Sequence, residues 1–315
     1  MVINNELLGG KTVVVTGGTG RIGRAIVEGI IDAGGNAVCG YNDTKKAFSL
    51  RQSWSYYGHP RLQLCRLDVC DNTSIVDAVA VGLEVFGQIN GLVNCAGGNL
   101  KTKKSFLDTT RSDFQRMLDL NLLGSALTSQ AVCQQMLLQG RGGVVINICS
   151  VASFQALSGV HAYAASKAAV AALTGQMAAD QQLTSGGIRT IGVAPGFLPT
   201  TQNEELLKSD GRGPRILDRT PLKRYGQPVE VANLVVFFLS DLASFINGSI
   251  HVVDGGFMST GVIDDMGTKQ TPALNTEPIG DSAEVDGSHA DLAHSGPSFP
   301  TTPGKDQEVI QEPVV

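Results

Sequence analysis

The chain lacks most of the signals that would place a protein outside the cell or in a membrane. None of its six cysteines lies in a Cys-x-x-Cys pair or beside a histidine-rich spacing, so we expect buried free thiols rather than disulfides or a metal site. The first residues show no basic region followed by a long apolar stretch, and polar residues interrupt the apolar segment 229–245. We therefore expect a cytoplasmic protein that binds no membrane.

An excess of basic charge is also missing. The net charge is −5, which gives no indication of a nucleic-acid surface. From Asp264 onward there are ten acidic and two basic residues, which leaves 19 acidic and 22 basic residues before that point, a charge of about +3. A positive body is compatible with an anionic cofactor.

The last part of the chain has few aliphatic residues. Residues 261–315 contain six prolines, with Ser, Thr, Gly and acids between them. Such a composition buries too little apolar surface to offset the entropy lost on ordering. We expect a disordered acidic tail here, and a docking peptide for a partner is the alternative.

The rest of the chain alternates short β-branched runs with helical patterns. Strands are predicted at 12–16, 37–39, 62–69, 91–94, 144–148, 189–193 and 250–253, and helices at 21–34, 44–57, 73–87, 110–139, 161–184 and 228–240. The early strands are almost continuously apolar, as in parallel strands covered on both faces. After a short segment at 1–8, the pattern predicts an α/β fold: one doubly wound domain over 9–260 with a seven-stranded parallel sheet.

A glycine-rich turn, Thr16-Gly-Gly-Thr-Gly-Arg-Ile-Gly23, follows the first predicted strand and opens the first helix. Such a turn lets a dinucleotide pyrophosphate approach the backbone and places its charge at a helix N-terminus. We expect Gly17, Arg21, Ile22 and Gly23 to contact a Rossmann-type cofactor.

Strand two ends at Tyr41, where nucleotide-binding folds that use NAD carry an acid. A 2′-phosphate is not repelled by Tyr41, and Arg21 could serve as its counter-charge. NADP(H) is therefore favoured over NAD(H), although the nearby Asp43 acts against this preference.

Two further strand ends should line the same cofactor. Asp68 and Val69 end strand three, and we interpret Asp68 as an acceptor for the adenine amino group, with a helix cap near Asp71 as the alternative. Strand four ends in the small residues of Asn94-Cys-Ala96-Gly97, which would let the backbone pass under the cofactor.

Tyr163 and Lys167 lie four residues apart in an alanine-rich helical stretch that follows Ser150. Positions i and i+4 share one helix face. A phenol titrates at about pH 10, and a neighbouring cation favours its ionised form; lowering the pKa to 7 would take about 4 kcal/mol. The spacing predicts Tyr163 as a proton donor and acceptor assisted by Lys167.

With these motifs in this order, residues 9–257 resemble the classical short-chain dehydrogenases/reductases. Two departures stand out: Arg21 replaces the middle glycine of the turn, and Cys95 replaces the second Asn of Asn-Asn-Ala-Gly. The remaining family positions match Asn121, Ser150, Tyr163, Lys167, Pro195, Gly196, Leu198 and Thr200.

The resemblance implies an NAD(P)(H)-dependent oxidoreductase that transfers a hydride between nicotinamide and a secondary alcohol or ketone. Tyr163 would be the general acid or base, Ser150 would hydrogen-bond the substrate oxygen, and Lys167 would also bind the nicotinamide ribose. Asn121 would hold a water in a proton relay. Pro195, Gly196, Leu198 and Thr200 would lie at the nicotinamide.

The family resemblance also implies a homodimer or homotetramer formed through the long helices after strands four and five. Phe237, Phe238 and Phe245 are candidates for extending that contact.

Residues 196–227 correspond to the family's variable lid and resemble the branch of fructuronate (mannonate-forming) reductases, through Ala96-Gly-Gly-Asn99 and Thr201-Gln-Asn203. This implies a small polyhydroxylated substrate, a sugar acid or a polyol. Candidate substrate contacts are Asn99, Gln155, His161, Gln202 and Asn203, with Arg212 or Arg215 for a carboxylate. Reduction of a lipophilic or acyl-carrier-bound ketone, and a non-catalytic nucleotide-sensing protein with a partner-binding tail, are the alternatives.

Overall fold

A computed structural model of the chain describes residues 6–50, 53–100, 104–199, 207 and 211–261. Contacts divide the chain into two units, Met1–Ile263 and Asp264–Val315, and the second unit lies outside the described residues. The disorder expected for residues 261–315 therefore stays a prediction, as does the separate segment at 1–8.

Seven parallel strands form one sheet in the order β3-β2-β1-β4-β5-β6-β7. The strands are β1 (Thr12–Thr16), β2 (Asn36–Tyr41), β3 (Leu62–Arg66), β4 (Gly91–Asn94), β5 (Gly143–Ile148), β6 (Ile188–Pro195) and β7 (Ile250–Val253). The strand order reverses between β1 and β4. In doubly wound sheets, ligands bind at the carboxyl ends of the strands beside such a reversal.

Helices cover both faces of the sheet. Those in the described residues are α1 (Arg21–Asp32), α2 (Thr44–Ser49), α3 (Asn72–Phe86), α4 (Arg111–Met117), α5 (Gly124–Gln139), α6 (His161–Ala179), α7 (Gln181–Ser185), α8 (Arg212–Arg219) and α9 (Pro228–Leu239). One core lies between the sheet and α1 and α9, and the other lies against α3 and α5. Val13 and Val15 face the first core and Val14 the second, because strand side chains alternate. The predicted fold class is confirmed.

Several predicted element boundaries were wrong. The helix expected at 44–57 ends at Ser49, and the strand expected at 62–69 ends at Arg66, so Asp68 and Val69 lie in the following loop. The helix expected at 161–184 is interrupted at Asp180, whose carboxylate accepts the Leu183 N–H at 3.0 Å and caps α7. Local capping therefore divides a stretch that is helical by periodicity alone.

The pattern at 110–139 forms three segments rather than one helix. A π-helical segment, Leu118–Leu123, separates α4 from α5. Helix α8 was not predicted, because it has only eight residues, of which four are charged and two, Ile216 and Leu217, are aliphatic. So few apolar positions are too short a pattern to recognise. The π-helical segment and helix α8 both contribute residues to the candidate active site described below.

Candidate active site

The glycine-rich turn between β1 and α1 lies against the loop that follows β4. Gly17 has φ +64°, and a Cβ there would lie 2.8 Å from the Cα of Ala96 and 3.0 Å from its nitrogen. A Cβ on Gly23 would meet the carbonyl oxygen of Gly17. No side chain caps the N-terminus of α1. This bare backbone at the strand-order reversal suits a dinucleotide pyrophosphate.

Thr16, the last residue of β1, connects this turn to the β4 loop. Its side chain is 1 % exposed, and its Oγ1 accepts the backbone N–H groups of Cys95 at 3.0 Å and Ala96 at 2.9 Å. We had predicted no separate role for Thr16. The available signal was a hydroxyl residue at the last position of the first strand.

The end expected to hold adenosine lies at β2 and β3. Tyr41 is half-buried, and residues 42–45 line a shallow depression of about 450 Å³ after it. Asp68 accepts the N–H of Cys70 at 3.0 Å. Asp71, not Asp68, caps α3 by accepting the N–H of Thr73 at 3.0 Å, so the cap alternative for Asp68 was wrong.

Arg21 does not lie where we predicted. Its Nη1 donates to the carbonyl oxygen of Pro199 at 2.9 Å, beyond the end of β6. The Arg21 guanidinium thus points towards the β6 edge of the sheet, whereas Tyr41 lies towards the opposite edge. The prediction that Arg21 supplies a counter-charge at the end of β2 was therefore wrong. The exposed Lys45 is the base at the depression beside Tyr41. Ile22 packs against the core under α1.

Ser150, Tyr163 and Lys167 come together at the carboxyl end of β5. Tyr163 and Lys167 lie one turn apart on α6, and the Ser150 hydroxyl is near enough to the phenol to influence its pKa. Lys167 is 5 % exposed, and its Nζ donates to the carbonyl oxygen of Ile148 at 2.6 Å. The structure therefore assembles the three side chains that the sequence spacing selected.

Burial is the main influence on the protonation of this group. It raises the pKa of the Tyr163 phenol, while the Ser150 side chain acts in the opposite direction. Burial also lowers the pKa of the Lys167 ammonium, which the nearby Cys149 and Cys95 oppose. The pKa of Tyr163 is thus raised, whereas we predicted that it would be lowered. The reason is that burial disfavours the charged phenolate more than the Ser150 side chain stabilises it.

Asn121 lies in the π-helical segment and is fully buried. Its Oδ1 accepts the N–H of Gly98 at 3.0 Å, and its Nδ2 donates to the Gly98 carbonyl at 3.1 Å and to Ser166 Oγ at 2.9 Å. Ser166 in turn donates to the Tyr163 carbonyl at 2.7 Å. Asn121 thus joins the β4 loop to the helix that carries Tyr163. Segments of π-helix frequently occur at functional sites.

Gly97 gives Asn121 and Lys167 room to approach the same point. A Cβ on Gly97 would lie 2.9 Å from Asn121 Oδ1 and 3.3 Å from Lys167 Nζ. All four predicted catalytic residues therefore lie in one region, bordered by the β4 loop.

Asn94 lies deeper than the cofactor-binding prediction implied. Its side chain is 2 % exposed, and its Nδ2 donates to Ser129 Oγ and Asn147 Oδ1, each at 2.8 Å. Its Oδ1 has no hydrogen-bond partner in the part of the chain that the structure describes. The side chain joins β4 to β5 and α5, so only the Asn94 backbone could contact a cofactor. Val69, 4 % exposed, is likewise a core residue.

Comparisons with known proteins agree with this geometry. Residues 18–258 match the family described as enoyl-(acyl carrier protein) reductase. A 2-(R)-hydroxypropyl-CoM dehydrogenase of Xanthobacter autotrophicus is 34% identical over 250 residues, which cover 78% of this chain and 98% of the relative. The chain belongs to the short-chain dehydrogenase/reductase family.

Two further relatives are similar in extent. An L-rhamnose 1-dehydrogenase (NAD(P)(+)) of Azotobacter vinelandii is 34% identical over 254 residues, covering 79% of this chain and 97% of the relative. The crystal structure of a gluconate 5-dehydrogenase from Burkholderia cenocepacia, in complex with NADP and tartrate, has a TM-score of 0.75 and 30% identity. That match covers 83% of this chain and all of the other. This dehydrogenase is thus an NAD(P)-dependent oxidoreductase that acts on CH–OH groups.

The residues that we predicted for the nicotinamide side of this short-chain dehydrogenase follow β6 or end it. The Gly196 N–H donates to the Val253 carbonyl at 2.8 Å, next to Pro195, and a Cβ on Gly196 would lie 2.7 Å from the Cα of Asp254. Leu198 is 4 % exposed and belongs to the core. The remaining predicted positions here, Thr200, Gln202 and Asn203, lie outside the described residues, and their assignments stay predictions.

The other substrate-side predictions have mixed outcomes. Asn99 is exposed and accepts its neighbour's backbone N–H, and His161 packs edge-to-face on Phe106, with ring centroids 5.5 Å apart. Gln155 Oε1 accepts Nη2 of Arg219 at 3.1 Å. Arg219 was not among the predicted residues, although its seven-residue spacing from Arg212 could have indicated it.

The structure shows no helix among the described residues that is long and apolar enough to span a bilayer. Within the same residues, no group of three or more His, Cys, Asp or Glu side chains could hold a metal ion. The six cysteines are free, and four of them are buried.

Proposed function

We propose that this dehydrogenase interconverts a secondary alcohol and a ketone on a sugar acid or a polyol. The observation that carries the proposal is the Ser150–Tyr163 pair beside Lys167, at the edge of the sheet that also holds the bare glycine turn. The substrate class is supported by the relatives named for rhamnose and gluconate and by the tartrate bound in one of them.

The chain's own residues handle the proton and orient the substrate. A bound NAD(P) supplies or accepts the hydride. The substrate oxygen would accept hydrogen bonds from Ser150 and Tyr163; in reduction the Tyr163 proton moves to that oxygen, and in oxidation the phenolate takes the hydroxyl proton. Lys167, oriented by the Ile148 carbonyl, stabilises the phenolate as its proton leaves. Asn121 keeps the β4 loop in place.

For the cofactor, we propose that Gly17, Arg21, Ile22 and Gly23 hold the pyrophosphate. The adenosine end would contact Tyr41, Asp68 and Val69, the β4 loop would pass beneath through Asn94, Ala96 and Gly97, and the nicotinamide end would contact Lys167, Pro195, Gly196, Leu198 and Thr200. The bare backbone of the turn fits such a group.

We also propose that NADP(H) is preferred over NAD(H). Tyr41 rather than an acid ends β2, and Lys45 lies at the adjoining depression, where a 2′-phosphate would need a positive charge. Asp43 in the same depression opposes the preference.

Replacing Tyr163 by phenylalanine tests the proposed chemistry. Because general acid–base groups contribute about 10²–10⁴-fold, Tyr163→Phe should lower kcat by about 10³-fold while NADPH binding changes little. Stopped-flow turnover and fluorescence titration measure the two quantities. Tyr56→Phe is the matched control, since the Tyr56 hydroxyl donates to Asp32 of α1 at 2.6 Å and has no place in the predicted site. Turnover retained in Tyr163→Phe would contradict the assignment.

A substrate panel with both NADPH and NADH tests the substrate class and the cofactor preference. We expect turnover of sugar acids or polyols, with the higher kcat/KM for the phosphorylated cofactor. Turnover confined to lipophilic or acyl-carrier-bound ketones would contradict the proposal. Binding of nucleotide without turnover of any carbonyl would favour a sensing protein.

We further propose a cytoplasmic homodimer or homotetramer that associates through α5 and α6. Helix α6 exposes small residues that let another helix approach, and α5 exposes Leu138. The small residues are Ala165, Ala168, Ala172, Gly175 and Ala179. The contact predicted for Phe238 was wrong, because it is 1 % exposed in the core, whereas Phe245 is fully exposed.

A further inference from the structure

Helix α8 directs two arginines at the loop between Ser150 and Tyr163. Arg212 and Arg219 are seven residues apart, so their side chains leave the helix within about 20° of each other. Arg212 Nη1 donates to the Ser158 carbonyl at 3.2 Å, and Arg219 Nη2 donates to Gln155 Oε1 at 3.1 Å. One face of α8 is therefore a basic surface that contacts the loop carrying the catalytic serine.

Arg219 is fixed in place by aromatic packing. Its guanidinium carbon lies 4.6 Å from the centre of the Phe257 ring, which is 4 % exposed. Phe257 packs edge-to-face on Phe197 at 5.0 Å, and Phe197 directly follows Gly196. A guanidinium has five N–H donors in a planar fork that matches a carboxylate, and the bond to Gln155 uses one of them.

The arginines of this basic surface form no ion pair within the described part of the chain. Within the same residues, this also holds for Arg215 of α8. Burial lowers the pKa of Arg212, as expected for a cation that loses hydration without an acidic partner.

The position of the arginines separates them from the adenosine end of the cofactor, where a 2′-phosphate would lie. The adenosine end belongs to β2 and β3, at one edge of the sheet, whereas Phe197 and Phe257 follow β6 and β7 at the other edge. An anion bound by Arg219 would therefore not be a 2′-phosphate, and we assign it to the substrate, whose reacting carbon must lie near Ser150.

We propose that Arg219, with Gln155 beside it and Arg212 as a second charge, binds the carboxylate of an acyclic sugar acid. The inference rests on the proposed function and chooses between its two substrate classes, acid and neutral polyol. The carboxylate accepts N–H groups from the Arg219 fork, and the Gln155 amide donates to a substrate hydroxyl. Arg219 is thus a specificity-determining residue.

The test compares gluconate with the neutral polyol D-glucitol in the full-length enzyme saturated with NADP⁺. Arg219→Gln should lower kcat/KM for gluconate by about 100-fold, mainly through KM, and for D-glucitol by less than about threefold. Arg219→Lys should lie between wild type and Arg219→Gln, because it keeps the charge but loses the fork. Arg116→Gln removes the same charge from an exposed position of α4 and should change neither substrate by more than about threefold.

A second measurement needs no variant. Raising the salt from about 0.05 M to about 0.5 M should increase the wild-type KM for gluconate but not for D-glucitol, since screening weakens only the charged contact. Equal losses on both substrates in Arg219→Gln, an equal effect of Arg116→Gln, or a wild-type preference for D-glucitol would each overturn the proposal.

The failure of this inference differs from failure of the proposed function. If Tyr163-dependent turnover of polyols or sugar acids persists without selective loss in Arg219→Gln, only the role of Arg219 is wrong. If wild type turns over neither gluconate nor D-glucitol but reduces lipophilic ketones through Tyr163, the substrate class is wrong and the inference falls with it.

Discussion

Gly17 and Gly10 both have positive φ, +64° and +73°, but only Gly17 lies against another part of the backbone. An alanine at either position pays about 1–2 kcal/mol for the left-handed conformation. At Gly17 the new Cβ would also meet Ala96, whereas nothing lies within 4 Å of it at Gly10. A comparison of Gly17→Ala with Gly10→Ala therefore separates the effect of backbone strain from the effect of a steric clash with Ala96.

We predict that Gly17→Ala weakens NADPH binding by at least about tenfold, and that Gly10→Ala leaves it unchanged. Both variants should lose stability in urea denaturation, Gly17→Ala the more. Fluorescence titration of NADPH measures the affinity. Equal affinities in the two variants would show that the glycine turn does not hold the cofactor.

Hydrogen bonds of single side chains set the geometry of the catalytic region. Thr16 holds the β4 loop by two backbone N–H groups, and Asn121 holds the same loop from the side of α6. Tyr163 and Lys167 could be selected from sequence because their spacing is local. Ser166 could not be assigned a role, because its partner Asn121 is 45 residues away.

At the level of elements, helix α9 begins with a charged cap. Gln227 and Glu230 form a capping box, and the Arg224 guanidinium donates to both Glu230 oxygens, at 2.9 Å and 2.6 Å. The hydrogen bond from Arg224 and that from the Gln227 N–H lower the pKa of Glu230 from 4.5 to about 2. A carboxyl whose pKa is depressed on folding contributes stability above its ordinary pKa and loses it as the pH falls towards the folded value.

We predict that Glu230→Gln lowers the free energy of unfolding by about 1 kcal/mol near pH 7. The difference from wild type should shrink as the pH falls below about 4.5 and disappear near pH 2, where Glu230 itself becomes neutral. Urea denaturation across this range measures it. Glu84→Gln, an exposed position on α3, is the control. A difference that is constant with pH would contradict the argument.

The π-helical segment shows that the helix type of a segment can depend on residues of other elements. The sequence from 110 to 139 has helical periodicity throughout, yet the chain changes helix type at Leu118–Leu123. There the buried Asn121 amide is satisfied by Gly98 and Ser166, which belong to other elements. Periodicity reports the apolar face of a helix but not partners that lie across the fold.

At the level of the whole molecule, the segment after Ile263 should be dispensable for catalysis. Its proline-rich acidic composition buries little apolar surface, and the named site residues all precede it. We predict that deleting residues 264–315 leaves kcat, KM and the melting temperature unchanged within error. A large loss in any of them would show that the segment supports the domain.

Solution scattering of the same two proteins gives the molecular mass of each. We expect a dimer or tetramer for both, because the proposed contacts lie on α5 and α6. A monomer in the full-length chain would contradict the proposed oligomer.

The sequence by itself determined the doubly wound fold, the glycine turn and the group formed by Ser150, Tyr163 and Lys167. Each of these depends on local periodicity or on the rule that parallel strands end at one edge of the sheet. Only the tertiary structure decided that Arg21 contacts Pro199, that Phe238 is buried and that Arg219 lies beside Gln155. Long side chains and short polar helices choose partners far away in sequence, and packing of the whole domain sets which of those partners are within reach.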